Sequence, residues 1–229
     1  MRQIVSLSGG KDSTAMLLLM LERGEQIDDI VFFDWGMEFP EMYEHLEKLE
    51  AYIERPITRL YPRQTWDWWM FEREKKDGQL GYGWPQSKAR WCNGEKCDVL
   101  NTHYRGQTLC IGYSYEERFS RPQNTRRMQT NGIQARYPLL GWGVSETEAL
   151  KYCKAKGFDW GGLYKHFSRV SCWCCPFKRT KDFETLRREF PELWNRMCDM
   201  NSRSPWPFPN EKVKFVAEKN LEIDGIKEV

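Results

Sequence analysis

The densest chemistry in this 229-residue chain sits in six consecutive residues, Ser8-Gly9-Gly10-Lys11-Asp12-Ser13. Two glycines let a backbone turn sharply and approach a ligand with no Cβ in the way. A helix that starts just after them presents free N–H groups and the positive end of its dipole, which suit a phosphate or pyrophosphate. Lys11 adds a point charge, and Ser8 and Ser13 add hydroxyls. Asp12 repels a phosphate unless it turns away or holds Mg2+. The spacing is not GxxxxGKS/T, so analogies with GTPases and kinases do not apply. The plainer alternative is a polar strand-to-helix turn that binds nothing.

Cysteines form a second constellation. Cys92 and Cys97 are five apart, and Cys172, Cys174 and Cys175 fall within four residues further on. Two pairs of thiolates brought together from a helix and a turn can fill four tetrahedral positions, for a [4Fe-4S] cluster or for Zn2+. The expected ligands are Cys92, Cys97, Cys172 and Cys175, with Cys174 as the substitute for Cys97. Structural zinc and a set of buried thiols stay open as alternatives. Cys110 lies in an apolar stretch and reads as core, and Cys153 and Cys198 read as structural. Three histidines, His45, His103 and His166, are too few for a mostly imidazole site. A run of arginines, Arg118, Arg121, Arg126, Arg127 and Arg136, is expected as a loop that grips a sulfate, a phosphate or a nucleic-acid backbone. Its alternative is a solvated loop.

These residues need a scaffold. Residues 3–8 read as a strand ending at the two glycines, and 11–23 as a helix stopped by Gly24. Residues 29–34 form an apolar run typical of a strand buried on both faces, 40–53 a helix opened by Pro40, and 57–60 and 108–112 further strands. Strands alternating with helices predict an α/β fold, a Rossmann-like parallel sheet with helices on both faces and right-handed crossovers. Residues 1–144 are expected as the nucleotide-binding α/β domain, with a tryptophan-rich helical insertion at about 66–106. Residues 145–229 are expected as a small helical, cysteine-bearing C-terminal subdomain, with helices at 145–156 and 182–200. Most of the eleven tryptophans read as packing rather than base stacking.

At ~150 residues per domain the length predicts one domain or one with an appendage. Lys plus Arg is 35 against 33 for Asp plus Glu, which excludes a polybasic non-specific nucleic-acid binder but not a local basic patch. No apolar stretch approaches the ~20 residues of a membrane helix, and the N-terminus lacks a signal-peptide pattern. The expected location is the cytoplasm, where eight cysteines stay reduced and clustered thiols point to metal or redox chemistry.

The loop resembles the PP-loop of the N-type ATP pyrophosphatases, the adenine nucleotide alpha-hydrolase superfamily. Further segments are similar to the phosphoadenosine phosphosulfate (PAPS) reductase family within it. Asp34-Trp35-Gly36-Met37-Glu38-Phe39-Pro40-Glu41 resembles its DTGxEFPE segment, and Arg90-Trp91-Cys92 with Lys96 its R-x-C-x-x-x-x-K segment. Tyr137-Pro138-Leu139-Leu140-Gly141-Trp142 resembles its PL…W step. Gly162-Leu163-Tyr164 and the run Ser171-Cys172-Trp173-Cys174-Cys175-Pro176 resemble its LY…GCxxCP close. The resemblance implies that residues 8–13 hold nucleotide phosphates, that Asp34 lines the cleft, and that Gly112 lets the backbone approach adenine or ribose. It also favours an iron–sulfur cluster over zinc. The C-x4-C spacing of Cys92 and Cys97 departs from the adjacent pair of the cluster-bearing reductases.

Three functions follow from this reading. The first is an enzyme that binds ATP with Mg2+, cleaves it to AMP and pyrophosphate to adenylate an acceptor, and passes sulfur to it. Lys11 and Asp12 would be its catalytic residues, and Arg118, Arg121, Arg126 and Arg127 would contact the acceptor or phosphate. Relatives of this type act on tRNA or DNA, so the expected partners are an adenine nucleotide, a tRNA or DNA acceptor, and a sulfur donor or reductant protein. The second is a sulfonucleotide (APS or PAPS) reductase, which departs from this chain in its degenerate first loop and its Cys-Gly-x-His tail. With the sequence taken as complete at Val229, that tail is missing. The third is a non-catalytic nucleotide-sensing subunit.

Overall fold

The computed structural model describes residues 1–120, 126–206 and 208, with the backbone alone at 126 and 127. In chain order the elements are β1 (Gln3–Leu7), α1 (Lys11–Glu22), β2 (Asp29–Phe33), α2 (Pro40–Ile53), β3 (Thr58–Leu60), α3 (Trp91–His103) and β4 (Thr108–Ile111). There follow α4 (Arg126–Thr130), β5 (Gln134–Arg136), α5 (Pro138–Trp142), α6 (Glu146–Ala155), α7 (Leu163–His166), α8 (Thr180–Glu189) and α9 (Pro191–Arg203). A π-helical turn covers Trp68–Glu72, and 3-10 turns cover Tyr115–Arg118 and Trp160–Gly162.

Two compact units result. The first comprises Met1–Arg63 and Glu95–Val170, the second Gln64–Gly94 and the described residues from Ser171 on. In the first, five parallel strands lie in the order β3-β2-β1-β4-β5. This is the α/β, Rossmann-like parallel sheet flanked by helices that the strand–helix alternation predicts. Ile4, Val5, Leu7 and the run Ile30-Val31-Phe32-Phe33 are all buried, as strands covered on both faces require. One apolar cluster joins Ile4, Val31 and Leu109 of the sheet to Leu100 and Tyr104 at the end of α3 and to Met128 and Ile133. Each such side chain contributes about 1.5–3 kcal/mol on leaving water. The sequence reading divides the chain at residue 144, yet α6, beyond that point, packs along α1 within the first unit.

Two local expectations need correction. The arginine stretch is not one loop: it contains the turn Tyr115–Arg118, α4 and the strand β5. β5 is an edge strand of three residues, and no apolar run announces it; its pairing with β4 creates it. Within it Arg136 bonds Glu25 and Gln3, so its charge is spent on structure. The helix expected over 182–200 is two helices, because Pro191 lacks an N–H and pushes Phe190 out of helical geometry (φ −133, ψ 60).

The second unit is held by aromatic packing, as the tryptophan content implies. Trp69 stacks on Trp91 at 5.6 Å, Trp66 meets Trp91 edge-on at 4.7 Å, and the Trp84 indole N–H donates to Asn201 Oδ1 at 3.1 Å. Between the π-helical turn and α3 the chain runs in turns with two isolated bridges, Glu74 with Leu80 and Gln86 with Ala89. No helix among the described residues is long and apolar enough to cross a membrane.

Candidate functional site

Strand order reverses between β1 and β4, and the loop Ser8-Gly9-Gly10 leaves the carboxyl end of β1 at that point, where open α/β sheets take ligands. Gly9 adopts a left-handed φ of +78, and a Cβ there would lie 2.4 Å from Met42 Sδ. Gly10 precedes α1 in extended geometry without a side-chain cap, so the helix's first N–H groups are not satisfied by a capping residue of its own. The serines fold the loop onto itself. Ser8 N–H donates to Ser13 Oγ at 3.1 Å, the two hydroxyls lie 3.0 Å apart, and Ser13 Oγ donates to the Gly10 carbonyl at 3.1 Å.

Lys11 is only 4% exposed. Its ammonium donates to Glu146 Oε2 at 2.8 Å and to Asp12 Oδ2 at 3.3 Å, and its backbone N–H donates to the Tyr164 hydroxyl at 2.8 Å. The Trp160 indole N–H donates to the Gly9 carbonyl at 2.7 Å, and Cys153 Sγ sits 3.5 Å from the Lys11 carbonyl. Beneath the loop, Thr14 Oγ1 and His45 Nε2 are 3.1 Å apart, and the His45 ring stacks on Trp160 at 4.5 Å. Burial pushes His45 down to about 4, helped by Lys48. Burial pushes the Asp12 carboxyl up to about 6, against the pull of Lys11 and with repulsion from Glu146 and Glu117.

The remaining expected residues of this unit take definite places. Asp34, at the end of β2, uses Oδ1 to accept from Gly36 N–H at 2.7 Å and from the Tyr43 hydroxyl at 2.8 Å, which shapes the turn into α2. Gly112, at the end of β4, faces α1: a Cβ there would lie 2.8 Å from Ser13 Cα and 2.9 Å from Ser13 N. Its bareness lets β4 close against the loop. Arg118 is half-buried, donates to the Tyr115 carbonyl at 2.9 Å and lies over the Tyr115 ring at 4.0 Å. Arg121 lies outside the described residues, and Arg126 and Arg127 open α4 with their side chains outside them.

The cysteines divide. Cys97 belongs to the first unit, while Cys92, Cys172, Cys174 and Cys175 belong to the second. A tight turn runs from Cys172 to Cys175, whose N–H donates to the Cys172 carbonyl at 3.1 Å. Arg90 lies over the Phe177 ring at 3.8 Å, which ties the residues before Cys92 to that turn. Burial, reinforced by the neighbouring Cys175, pushes the Cys92 thiol up to about 11. No disulfide joins any of the eight cysteines. Among the described residues no three His, Cys, Asp or Glu side chains converge as a metal cage. Cys92 and Cys175 lie close enough for the charge of one to act on the other.

The family model described as the phosphoadenosine phosphosulfate reductase domain matches residues 2–178. The chain belongs to that family. Two uncharacterized proteins of Methanocaldococcus jannaschii are similar to it, one 29% identical over 204 residues and the other 27% over 208. The matches cover 84% and 86% of this chain but 40% and 47% of those proteins, so the chain spans less than half their length. Among solved structures, a predicted subunit of tRNA methyltransferase from M. jannaschii is 16% identical, with 69% of this chain and 88% of that one covered at a TM-score of 0.41. The U34-tRNA thiolase NcsA from Methanococcus maripaludis with its [4Fe-4S] cluster is 14% identical, with coverage of 87% and 70% and a TM-score of 0.46.

This PAPS reductase-family chain thus places a buried ammonium, a helix start without a side-chain cap and a carboxylate at the sheet's switch point. Asp12 Oδ1 is buried without a hydrogen-bond partner, an orphaned acceptor that fits a Mg2+ ion arriving with a nucleotide. Sequence reasoning missed Glu146, Trp160 and His45 as neighbours of the loop. Tyr164 was visible only inside the LY resemblance. Residue types alone carry no signal that a helix 135 positions away returns to Lys11.

Proposed function

We propose that the chain binds MgATP on Ser8, Gly9, Gly10, Lys11, Asp12 and Ser13 and cleaves it to AMP and pyrophosphate while adenylating an acceptor, a nucleic acid or nucleotide, for sulfur transfer. The observation that carries this reading is the intact PP-loop, with a buried Lys11 ammonium and the uncapped start of α1 at the reversal of strand order. An acceptor oxygen attacks the α-phosphorus, the bond to the β-phosphate oxygen breaks and pyrophosphate leaves. A hydrosulfide then attacks the carbon bearing the adenylated oxygen, a C–S bond forms as the C–O bond breaks, and AMP leaves with the C–O electron pair. Lys11 holds the charge that develops on pyrophosphate. Asp12 would hold the Mg2+ ion that arrives with the nucleotide. Arg118, at the turn after β4, contacts the acceptor or its phosphate, with Arg121, Arg126 and Arg127 in the same proposed role.

The same reading assigns Cys92, Cys172, Cys175 and Cys174, the last as the substitute for Cys97, to a [4Fe-4S] cluster or Zn2+. A tRNA or DNA acceptor, a sulfur donor protein and a cytoplasmic setting complete the proposal.

The family's own description supports a second reading, a sulfonucleotide reductase. The missing Cys-Gly-x-His tail carries no weight against it, because the curated relatives are more than twice as long as the matched part. Calorimetry with MgATP, APS and PAPS on anaerobically purified protein separates the two. Tighter binding of MgATP, abolished in Lys11→Ala with the circular dichroism unchanged, is the expected outcome. Tighter binding of a sulfonucleotide reverses the ranking.

A further inference from the structure

Nothing in the family match gives a part to Glu146 or Tyr164, yet both meet the loop at the groups a phosphate needs. Lys11 offers two donors to an incoming anion, its ammonium and its backbone N–H. Each meets an oxygen at 2.8 Å, the ammonium Glu146 Oε2 and the N–H the Tyr164 hydroxyl, and the ammonium also donates to Asp12 Oδ2 at 3.3 Å. A buried donor left without an acceptor costs free energy, so an empty loop needs such partners. Burial raises the Tyr164 phenol far above its ordinary range, so it meets Lys11 as a neutral acceptor.

The segment that delivers Tyr164 is held under backbone strain. Trp160, Gly161 and Gly162 all have left-handed φ, at +54, +58 and +86. Glycine adopts this readily, but a tryptophan there is an outlier, and such outliers persist where the surroundings over-determine them. Trp160 is 1% exposed, stacked on His45 and bonded to the Gly9 carbonyl. One short strained stretch therefore grips the loop at Gly9 and at Lys11.

We propose that Glu146 and Tyr164 are built-in surrogates for phosphate oxygens, which occupy the ammonium and the N–H of Lys11 in the ligand-free chain and are replaced there by the phosphates of the nucleotide. The proposal rests on the reading that the loop binds nucleotide phosphate. The surrogates stabilise the empty loop, and for the same reason they compete with the ligand, since breaking their hydrogen bonds to Lys11 on exchange subtracts from affinity. A residue that only braces the loop behaves oppositely: its removal lowers stability and affinity together.

The test compares the full chain with Glu146→Gln and Tyr164→Phe. Thermal melts are recorded without ligand, and calorimetric titrations use MgATP and inorganic pyrophosphate. Both substitutions are conservative, and Glu146 has an exposed side chain, so folded protein is expected. The surrogate role requires opposite signs: a lower melting temperature without ligand, and about 3- to 10-fold tighter binding of both ligands, the scale of one hydrogen bond. A variant that binds no tighter than the parent removes its residue from the role, and two such variants overturn the proposal while nucleotide binding stands. If parent and variants alike bind neither ligand, the nucleotide reading itself falls and takes the surrogates with it.

Discussion

Burial holds the Asp12 carboxyl at about 6, above its ordinary 3.8, and Glu146 and Glu117 add repulsion that Lys11 only partly offsets. A raised carboxyl binds more protons folded than unfolded, so its contribution to stability is fully present below 3.8 and lost as pH rises through 6. Asp12→Asn is therefore expected to raise stability at pH 8, by up to ~3 kcal/mol read as a higher melting temperature, and to give no gain below pH 4. The same variant is expected to lose ATP cleavage. A melting temperature that falls at pH 8 would show the carboxylate to be a structural asset. His45 acts with the opposite sign. Its folded value near 4 lies below the ordinary 6.5, so its contribution is present above 6.5 and lost as pH falls through 4. His45→Gln is expected to flatten the stability slope between pH 6.5 and 4, a range worth about 3 kcal/mol at most. An unchanged slope in urea melts across that range assigns acid sensitivity elsewhere.

Among the elements, the junction of β4 with α1 is the most sensitive to a single atom. A Cβ on Gly112 meets Ser13 backbone at 2.8 and 2.9 Å, and backbone cannot swing aside as a side chain can. Gly112→Ala is expected to lower stability by about 1–3 kcal/mol through overpacking and to weaken MgATP binding by distorting the start of α1. Parental affinity and melting temperature in this variant would contradict the close approach. The turn from Cys172 to Cys175 is testable on its own. Iron and zinc analysis of anaerobic protein is expected to show bound metal that falls in Cys172→Ser and in Cys175→Ser. Full occupancy in both variants returns these thiols to packing.

At the level of the whole molecule, the first unit is assembled by segments far apart in the chain. β1 is flanked by β2 and β4, and α6 and α7 return more than 130 residues later to Lys11. The second unit has its own aromatic core around Trp69, Trp91 and Trp84. Membership of the PAPS reductase family covers residues 2–178, which includes the sheet, the loop and the cysteine turn. The ranking of MgATP against APS and PAPS is the property of this assembly that decides between adenylation and sulfonucleotide reduction.

The loop, the buried strands and the parallel α/β order were legible in the sequence because they rest on local chemistry: two glycines before a helix start, apolar runs of strand length, and alternation of strand with helix. β5 was not legible, since a three-residue edge strand is made by its partner rather than by its own side chains. Nor was the break at Pro191 read, although the proline that causes it stood in plain view. Asp34 and Gly112 were marked for a ligand, and tertiary packing shows the turn that one shapes and the helix start that the other approaches. The sequence by itself determined the loop between a buried strand and a helix, and marked the residues proposed to meet a phosphate. Only the tertiary structure decided what faces Lys11, because Glu146 and Tyr164 reach it through chain reversals that no local pattern encodes.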